Sequence, residues 1–340
     1  MQTQLEYFNL QLQNGQTFDE TKCSIQSKPL FQASDYVQFA QEIYDSCQFD
    51  SFDEQRFLNI LLQCTVEDMC KVNHAFLACY GCSISSCITK DCNTNFEKVI
   101  LGSVQNRYTF WATQIHQTLT LSTIDVSSLC DLIIMADSND MSAINYEYQR
   151  LYGSQIQESI TFTPFSEASH FSVDKSCTKL LCAWCSQLRY GRNSIEHDVV
   201  SLNESFKAEH ADYNSLIRVL CTSTQVEFKM MCEQYHTKYS CTLRAAIENV
   251  ENQYLRMAAV LAHDSLLNPA SCCAQILRQA LTSCDYNNML VSLAVLFRDR
   301  YSSTVGRWYD GSISSDINGF VVSSQSDWNQ GVLNQIWRAE

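Results

Sequence analysis

The sequence predicts an all-α repeat protein, and three observations carry that prediction. Glycine and proline are scarce, nine and three in 340 residues, against average usage of about 7% and 5%, which favours long helices over a turn-rich β protein. Apolar residues between Asp53 and Leu101 fall at helical intervals: Phe57, Leu58, Leu61 and Leu62, then Met69, Val72, Phe76, Leu77 and Tyr80. Each set fills one stripe of an amphipathic helix. The same pattern then returns three times. Its anchoring aspartates, Asp53, Asp125, Asp212 and Asp285, are spaced by 72, 87 and 73 residues, and its tyrosines, Tyr80, Tyr152, Tyr239 and Tyr309, by 72, 87 and 70. Two independent markers agree, including on a longer central link, so the chain is an array of four similar units of about seventy residues.

In order along the chain, residues 1–33 are polar and weakly periodic and read as an N-terminal arm closed by Pro29. The first copy, 34–105, opens with a helix over Ser34 to Gln48 whose buried face is Tyr36, Val37, Phe39, Ile43 and Tyr44. A short loop, Phe49-Asp50-Ser51-Phe52, leads to a helix capped by Asp53. Thr65 with Asp68 forms a box resembling the Ser/Thr-x-x-Glu cap and starts the next helix, which Gly81 stops. A short helix over Ser83 to Lys90 and a last one over Phe96 to Val104 make five. The second copy, 106–185, repeats this with DVSSLCDLIIM and a helix ending at Tyr152-Gly153, and Pro164 interrupts its later helices. A polar link, 186–194, follows. The third copy, 195–268, has a capping box at Thr224 and Glu227 and ends at Asn268-Pro269. The fourth, 269–340, runs from DYNNMLVSLAVL to SDWNQGVLNQIW, which repeats the spacing of TNFEKVILGSV.

Composition narrows the function classes. A formal charge of −14 opposes nucleic acid as a partner, because phosphate binding needs a basic footprint. It opposes direct attraction to anionic lipid too, unless a cation bridges the two. The eighteen cysteines would suit a secreted disulfide protein, but the N-terminus lacks the basic start and apolar run of a signal peptide. No segment has the roughly 18 apolar residues of a membrane span. Cys64, Cys130, Cys182 and Cys221 sit on helical apolar stripes, so the expectation is a cytoplasmic, non-secreted chain with reduced thiols packed as small hydrophobes.

Four five-helix copies with extra length between the second and third resemble the annexin family over residues 34 to 337. The resemblance rests on the Asp-x-x-x-Leu/Phe helix starts, on the helix ends Phe76/Tyr80/Gly81 and Tyr148/Tyr152/Gly153, and on the turn Asp91-Cys92-Asn93-Thr94-Asn95-Phe96-Glu97. High cysteine content and weak loop motifs are most similar to the divergent alpha-giardin branch of protist annexins. The resemblance implies a curved all-α disc that binds acidic phospholipid through calcium at the membrane surface. The ion would be held by backbone carbonyls of the loop between the first two helices and by a carboxylate from the fourth-to-fifth helix turn. Oxygen donors of this kind suit a hard cation. The implied calcium set is Phe49, Asp50, Phe52 and Asp91 in the first copy and Glu248 and Glu251 in the third, with Phe49 and Phe52 as membrane-contact residues. Phe52, which directly precedes the Asp53 cap, reads rather as a staple between the flanking helices, while Phe49 stays open to either role.

The sequence departs from the family in one respect. The Gly-x-Gly-Thr loop is absent from all four copies, which read Phe49–Phe52, Leu119–Ser122, Ala208–Ala211 and a segment around Ser283-Cys284. Without glycine, the left-handed turn that aims several carbonyls at one ion is harder to form. On the carboxylate side Glu167 is displaced in the second copy, and Ser323 stands there in the fourth. A scaffold that has lost calcium and binds cytoskeletal or flagellar proteins is therefore the alternative. Cys79, Cys82, Cys87 and Cys92 raise zinc or redox chemistry, but their spacing is not that of a standard zinc knuckle. The seven histidines show no HExxH pairing, and no nucleophile elbow or oxyanion loop suggests an enzyme.

Overall fold

A computed structural model describes residues 31–47, 53–88, 95–121, 124–162, 175–186, 189, 194–207, 213–282, 287–308 and 332–337. The described residues contain eighteen helices and no strand. The first copy supplies α1 (Ala33–Ser46), α2 (Glu54–Gln63), α3 (Val66–Tyr80), α4 (Ile84–Ile88) and α5 (Asn95–Ser103). The second supplies α6 (Arg107–Thr120), α7 (Val126–Ile134), α8 (Ser138–Tyr152), α9 (Ile156–Phe162) and α10 (Lys175–Ser186). The third is α11 (Ile195–Lys207), α12 (Asn214–Thr222), α13 (Gln225–Tyr239), α14 (Leu243–Glu248) and α15 (Gln253–Leu267). The fourth contributes α16 (Pro269–Thr282), α17 (Asn287–Trp308) and α18 (Val332–Trp337).

The boundaries have local causes. Asp53 and Asp125 accept hydrogen bonds from the amides of Arg56 (3.0 Å) and Ser128 (3.1 Å), satisfying first-turn donors that the helix leaves open. Thr65 with Asp68 and Thr224 with Glu227 form reciprocal capping boxes. At the other ends, Gly81 (φ 70°) and Gly153 (φ 72°) take the left-handed conformation that closes α3 and α8. Ser240 performs the same turn at φ 52°, with a side chain that this region disfavours.

Three expectations need correction. Val37, expected on the buried face of α1, is exposed. The fourth copy lacks the break between its second and third helices, and α17 runs through as 22 residues. The residue twelve positions after the anchor is Thr65, Asp137 or Thr224 in the first three copies and caps a new helix, whereas in the fourth it is Phe297. Phe297 has no oxygen to receive an N-terminal amide, so nothing rewards an interruption, and its ring packs edge-on to Trp111 at 5.2 Å. Pro269 does not end the third copy but occupies the first position of α16, where a missing N–H is harmless. Asn268 serves both neighbours, its amide donating back to Asp264 and its side chain accepting from Ser271.

The marker tyrosines have a packing role. Tyr80 stacks on Tyr44 of α1 with ring centroids 3.9 Å apart, and Tyr152 stacks on His116 of α6 at 3.6 Å. Tyr44 and His116 are themselves 72 residues apart, so the repeat extends to the partner position. Cys64, Cys130 and Cys221 are buried as the stripes predict, while Cys182 is half-buried. All fifteen cysteines among the described residues are thiols.

Polar contacts join the copies. Arg107, almost fully buried at the start of α6, donates to Glu67 of α3 (2.8 Å), to Asp299 and to the Leu296 carbonyl of α17. Arg300 holds Asp140 of α8 through two hydrogen bonds of 2.6 and 2.8 Å. Arg189 of the polar link donates to the carbonyls of Leu220 and Ser223 and lies 4.8 Å over the Trp184 ring. Among the described residues no helix is long and apolar enough to cross a membrane.

Candidate functional site

Of the residues singled out by sequence, Phe49, Asp50, Phe52 and Asp91 lie outside the described residues, as do Glu167, Ser323 and the loop at 208–211. What is described in the first copy is the frame on either side. The Asp53 amide donates to the Ser46 carbonyl at 3.4 Å, so the two ends of the 47–52 loop meet. Asn73 pins the other turn: its side-chain oxygen accepts from the Ile84 amide (3.0 Å) and its nitrogen donates to the Val104 carbonyl (3.2 Å). Phe96, the aromatic of the Asp91 turn, is buried.

The third copy shows the corresponding fourth-to-fifth helix turn directly. Thr242 caps α14 through the Ala245 amide, and Asn252 caps α15 through the Leu255 amide at 2.8 Å. Val250 between them is buried and anchors the turn, while Glu248, Asn249 and Glu251 face solvent. Arg256 donates to the Val250 carbonyl at 2.8 Å. Glu248 is engaged by Arg244, one helical turn earlier. The same arginine forks onto Asp264 of α15 at 3.1 and 3.2 Å. Burial works to raise the Asp264 carboxyl, but the His263 ring, donating from Nδ1 at 2.8 Å, and the Arg244 guanidinium outweigh it and hold Asp264 below the usual carboxylate range.

The exposed oxygens of this turn are the hard donors that calcium takes, and Glu251 is a carboxylate held at the surface by a fixed backbone. Glu248 and the Val250 carbonyl already face arginines of the chain itself. Arg244 and Arg256 escaped the sequence reading. An arginine four residues before Glu248 is a recognisable helical pair, but the carbonyl contact of Arg256 depends on the folded path of the turn.

Elsewhere, a cleft of about 520 Å³ lies between α6, α7 and α17, with Gln114, Thr118, Asp125, Ser128, Asn288 and Ser292 among its lining. Its one carboxylate, Asp125, is occupied as a helix cap. Cys79 is exposed and the Cys82 and Cys87 sulfurs approach to 3.4 Å, while Cys92 lies outside the described residues. No group of three or more His, Cys, Asp or Glu side chains among the described residues is arranged to hold a metal ion. His116 and His263 are packing residues, stacked on Tyr152 and edge-on to Phe228 respectively.

Comparison with known proteins agrees with this architecture. The annexin family model matches residues 38–102. Giardin subunit alpha-5 of Giardia intestinalis is 23% identical over 234 residues, 68% of this chain and 75% of that protein. Annexin A13 of Mus musculus is 21% identical over 121 residues, covering 36% of this chain and 38% of the mouse protein. Among solved structures, calcium-bound alpha-14 giardin superposes with a TM-score of 0.75 at 17% identity, over 89% of this chain and 99% of that one. Annexin III gives 0.75 at 16% identity, over 91% and 94%. At such identities the structural likeness establishes the shared fold.

Proposed function

We propose that this chain is a divergent, giardin-like annexin, a reading supported by the family match, the giardin relative and the fold, and that it binds acidic phospholipid membranes as a peripheral protein, with weak calcium dependence. The observation that carries the reading is the α14–α15 turn, whose backbone is fixed by Asn252 and Arg256 while Glu251 stands in solvent. Calcium there would draw on Glu251 and compete with Arg244 for Glu248. In the first copy, the proposed set is carbonyls of Phe49, Asp50 and Phe52 with the Asp91 carboxylate, and Phe49 and Phe52 touch lipid. The ion would supply charge bridging between a chain of net charge −14 and anionic headgroups, with affinity limited by the few charged ligands and the missing glycines. Calcium-bound giardins of the same fold support the choice of ion.

The test is co-sedimentation with phosphatidylserine vesicles in millimolar calcium and in chelator. Calcium-promoted pelleting that falls on Asp91→Asn combined with Glu251→Gln is expected. Equal and negligible pelleting in both conditions overturns the proposal.

A second reading, a calcium-independent scaffold on cytoskeletal or flagellar filaments, is favoured by a specific observation: arginines of the chain engage Glu248 and the Val250 carbonyl. It expects co-sedimentation with microtubules that chelator leaves unchanged, and fails if the chain stays in the supernatant.

A further inference from the structure

The thiols of the first copy present a feature that membrane binding does not use. Cys82 directly follows the left-handed Gly81 at the end of α3, and Cys87 lies in α4. The short helix folds back so that the two sulfurs sit 3.4 Å apart, both half-buried. Ser83, Ser85 and Ser86 hold the intervening turn by mutual hydrogen bonds, and the Ile84 amide is fixed on Asn73. The pairing is thus built into a rigid turn. A disulfide has its sulfurs about 2.05 Å apart, so closure needs an approach of roughly 1.4 Å, within reach of side-chain rotation.

The other thiols among the described residues do not combine this proximity with access. Cys130 is hydrogen-bonded to Cys177, but both are fully buried. Burial pushes the Cys70 thiol up to about 11 and those of Cys221 and Cys232 to about 12, which depletes the thiolate that reacts with oxidants. Cys232 is further occupied against the His263 ring at 3.8 Å. Cys79 is exposed on α3. Cys47 feels the charge of Cys82, but burial raises it first.

We propose that Cys82 and Cys87 form a dithiol that hydroperoxides close to an intramolecular disulfide. One thiolate attacks the peroxide O–O bond; a sulfenic acid forms and the distal oxygen leaves as water or alcohol. The second thiol then attacks the sulfenic sulfur, the S–S bond forms, and the displaced hydroxyl leaves as water with the thiol proton. The sulfur pair loses two electrons and the peroxide gains them, and a small dithiol or thioredoxin-type reductant reverses the step by thiol–disulfide exchange. The bond staples the end of α3 to α4.

The full-length reduced chain is exposed to substoichiometric hydrogen peroxide, its remaining thiols are alkylated, and disulfide peptides are mapped by mass spectrometry. A Cys82–Cys87 cross-link is expected as the first product, at least tenfold ahead of any other, and lost with dithiothreitol. In parallel, reduced wild-type protein should retain one equivalent of phenylarsine oxide, a dithiol probe, and Cys82→Ser should not. The wild-type mapping needs no variant to fold. A first cross-link from Cys47 to Cys82, oxidation spread over exposed single thiols such as Cys79, or unchanged arsenical binding in Cys82→Ser overturns the proposal.

Discussion

Asp131 offers a direct test of the electrostatics of the core. It lies on α7, is 5% exposed, and its Oδ2 has no hydrogen-bond partner among the described residues. Burial, with the neighbouring Asp125 charge adding to it, pushes its carboxyl up to about 8. In the unfolded chain an aspartate titrates near 3.9. Below about pH 4 the group is neutral in both states and its ionisation has no effect on stability. As pH rises the unfolded chain releases the proton first and is favoured, until the folded carboxyl also ionises near pH 8 and the loss levels off. At about 1.36 kcal/mol per unit, the penalty is about 1.5 kcal/mol at pH 5, about 3 at pH 6, about 5 at pH 8, and levels off at about 5.5 above that. Asp131→Asn keeps the shape and removes the titration. Urea unfolding followed by tryptophan fluorescence suits the measurement, since the Trp111 indole donates to the adjacent Leu132 carbonyl at 2.8 Å. The stability difference between variant and wild type is expected to widen by about 3–4 kcal/mol from pH 5 to pH 8.5. A difference that stays constant across that range would refute the assignment of a neutral, buried Asp131.

Three further perturbations test the packing between copies. Arg107→Met strands the buried Asp299 carboxylate, which Arg107 and Arg298 hold below its usual range against the opposing effect of burial; thermal and urea unfolding should show a loss of about 3–5 kcal/mol, partly restored by Asp299→Asn in the same chain. Gly102→Ala places a Cβ 2.7 Å from Phe110 and 2.8 Å from Val295, where α5, α6 and α17 meet; overpacking of about 1–3 kcal/mol should outweigh the gain of up to ~1 kcal/mol in helix propensity and lower the urea midpoint. Ser240→Gly relieves the one described non-glycine residue with positive φ and should raise the unfolding free energy by about 1 kcal/mol and the urea midpoint with it; an unchanged or lowered midpoint would show that the Ser240 side chain contributes compensating contacts.

The all-α class, the four copies and most helix ends were legible in the linear chain, because caps and stops are local chemistry: Asp53 needs only the amide three residues on, and Gly81 only its own freedom at φ 70°. The stacking of Tyr80 on Tyr44 and of Tyr152 on His116 was half legible, since the tyrosines recur visibly while their partners differ in type. The uninterrupted α17 was encoded too, in Phe297 at the capping position, but a missing cap is a weaker signal than a present one. What the tertiary structure alone decided is long-range. It set Arg107 between Glu67 and Asp299, Arg256 on the Val250 carbonyl, and Cys82 against Cys87. It also sealed Asp131 from water. These depend on which surfaces meet when separate helices pack, and a charged or thiol side chain has no periodicity of its own to announce the partner that packing will bring to it.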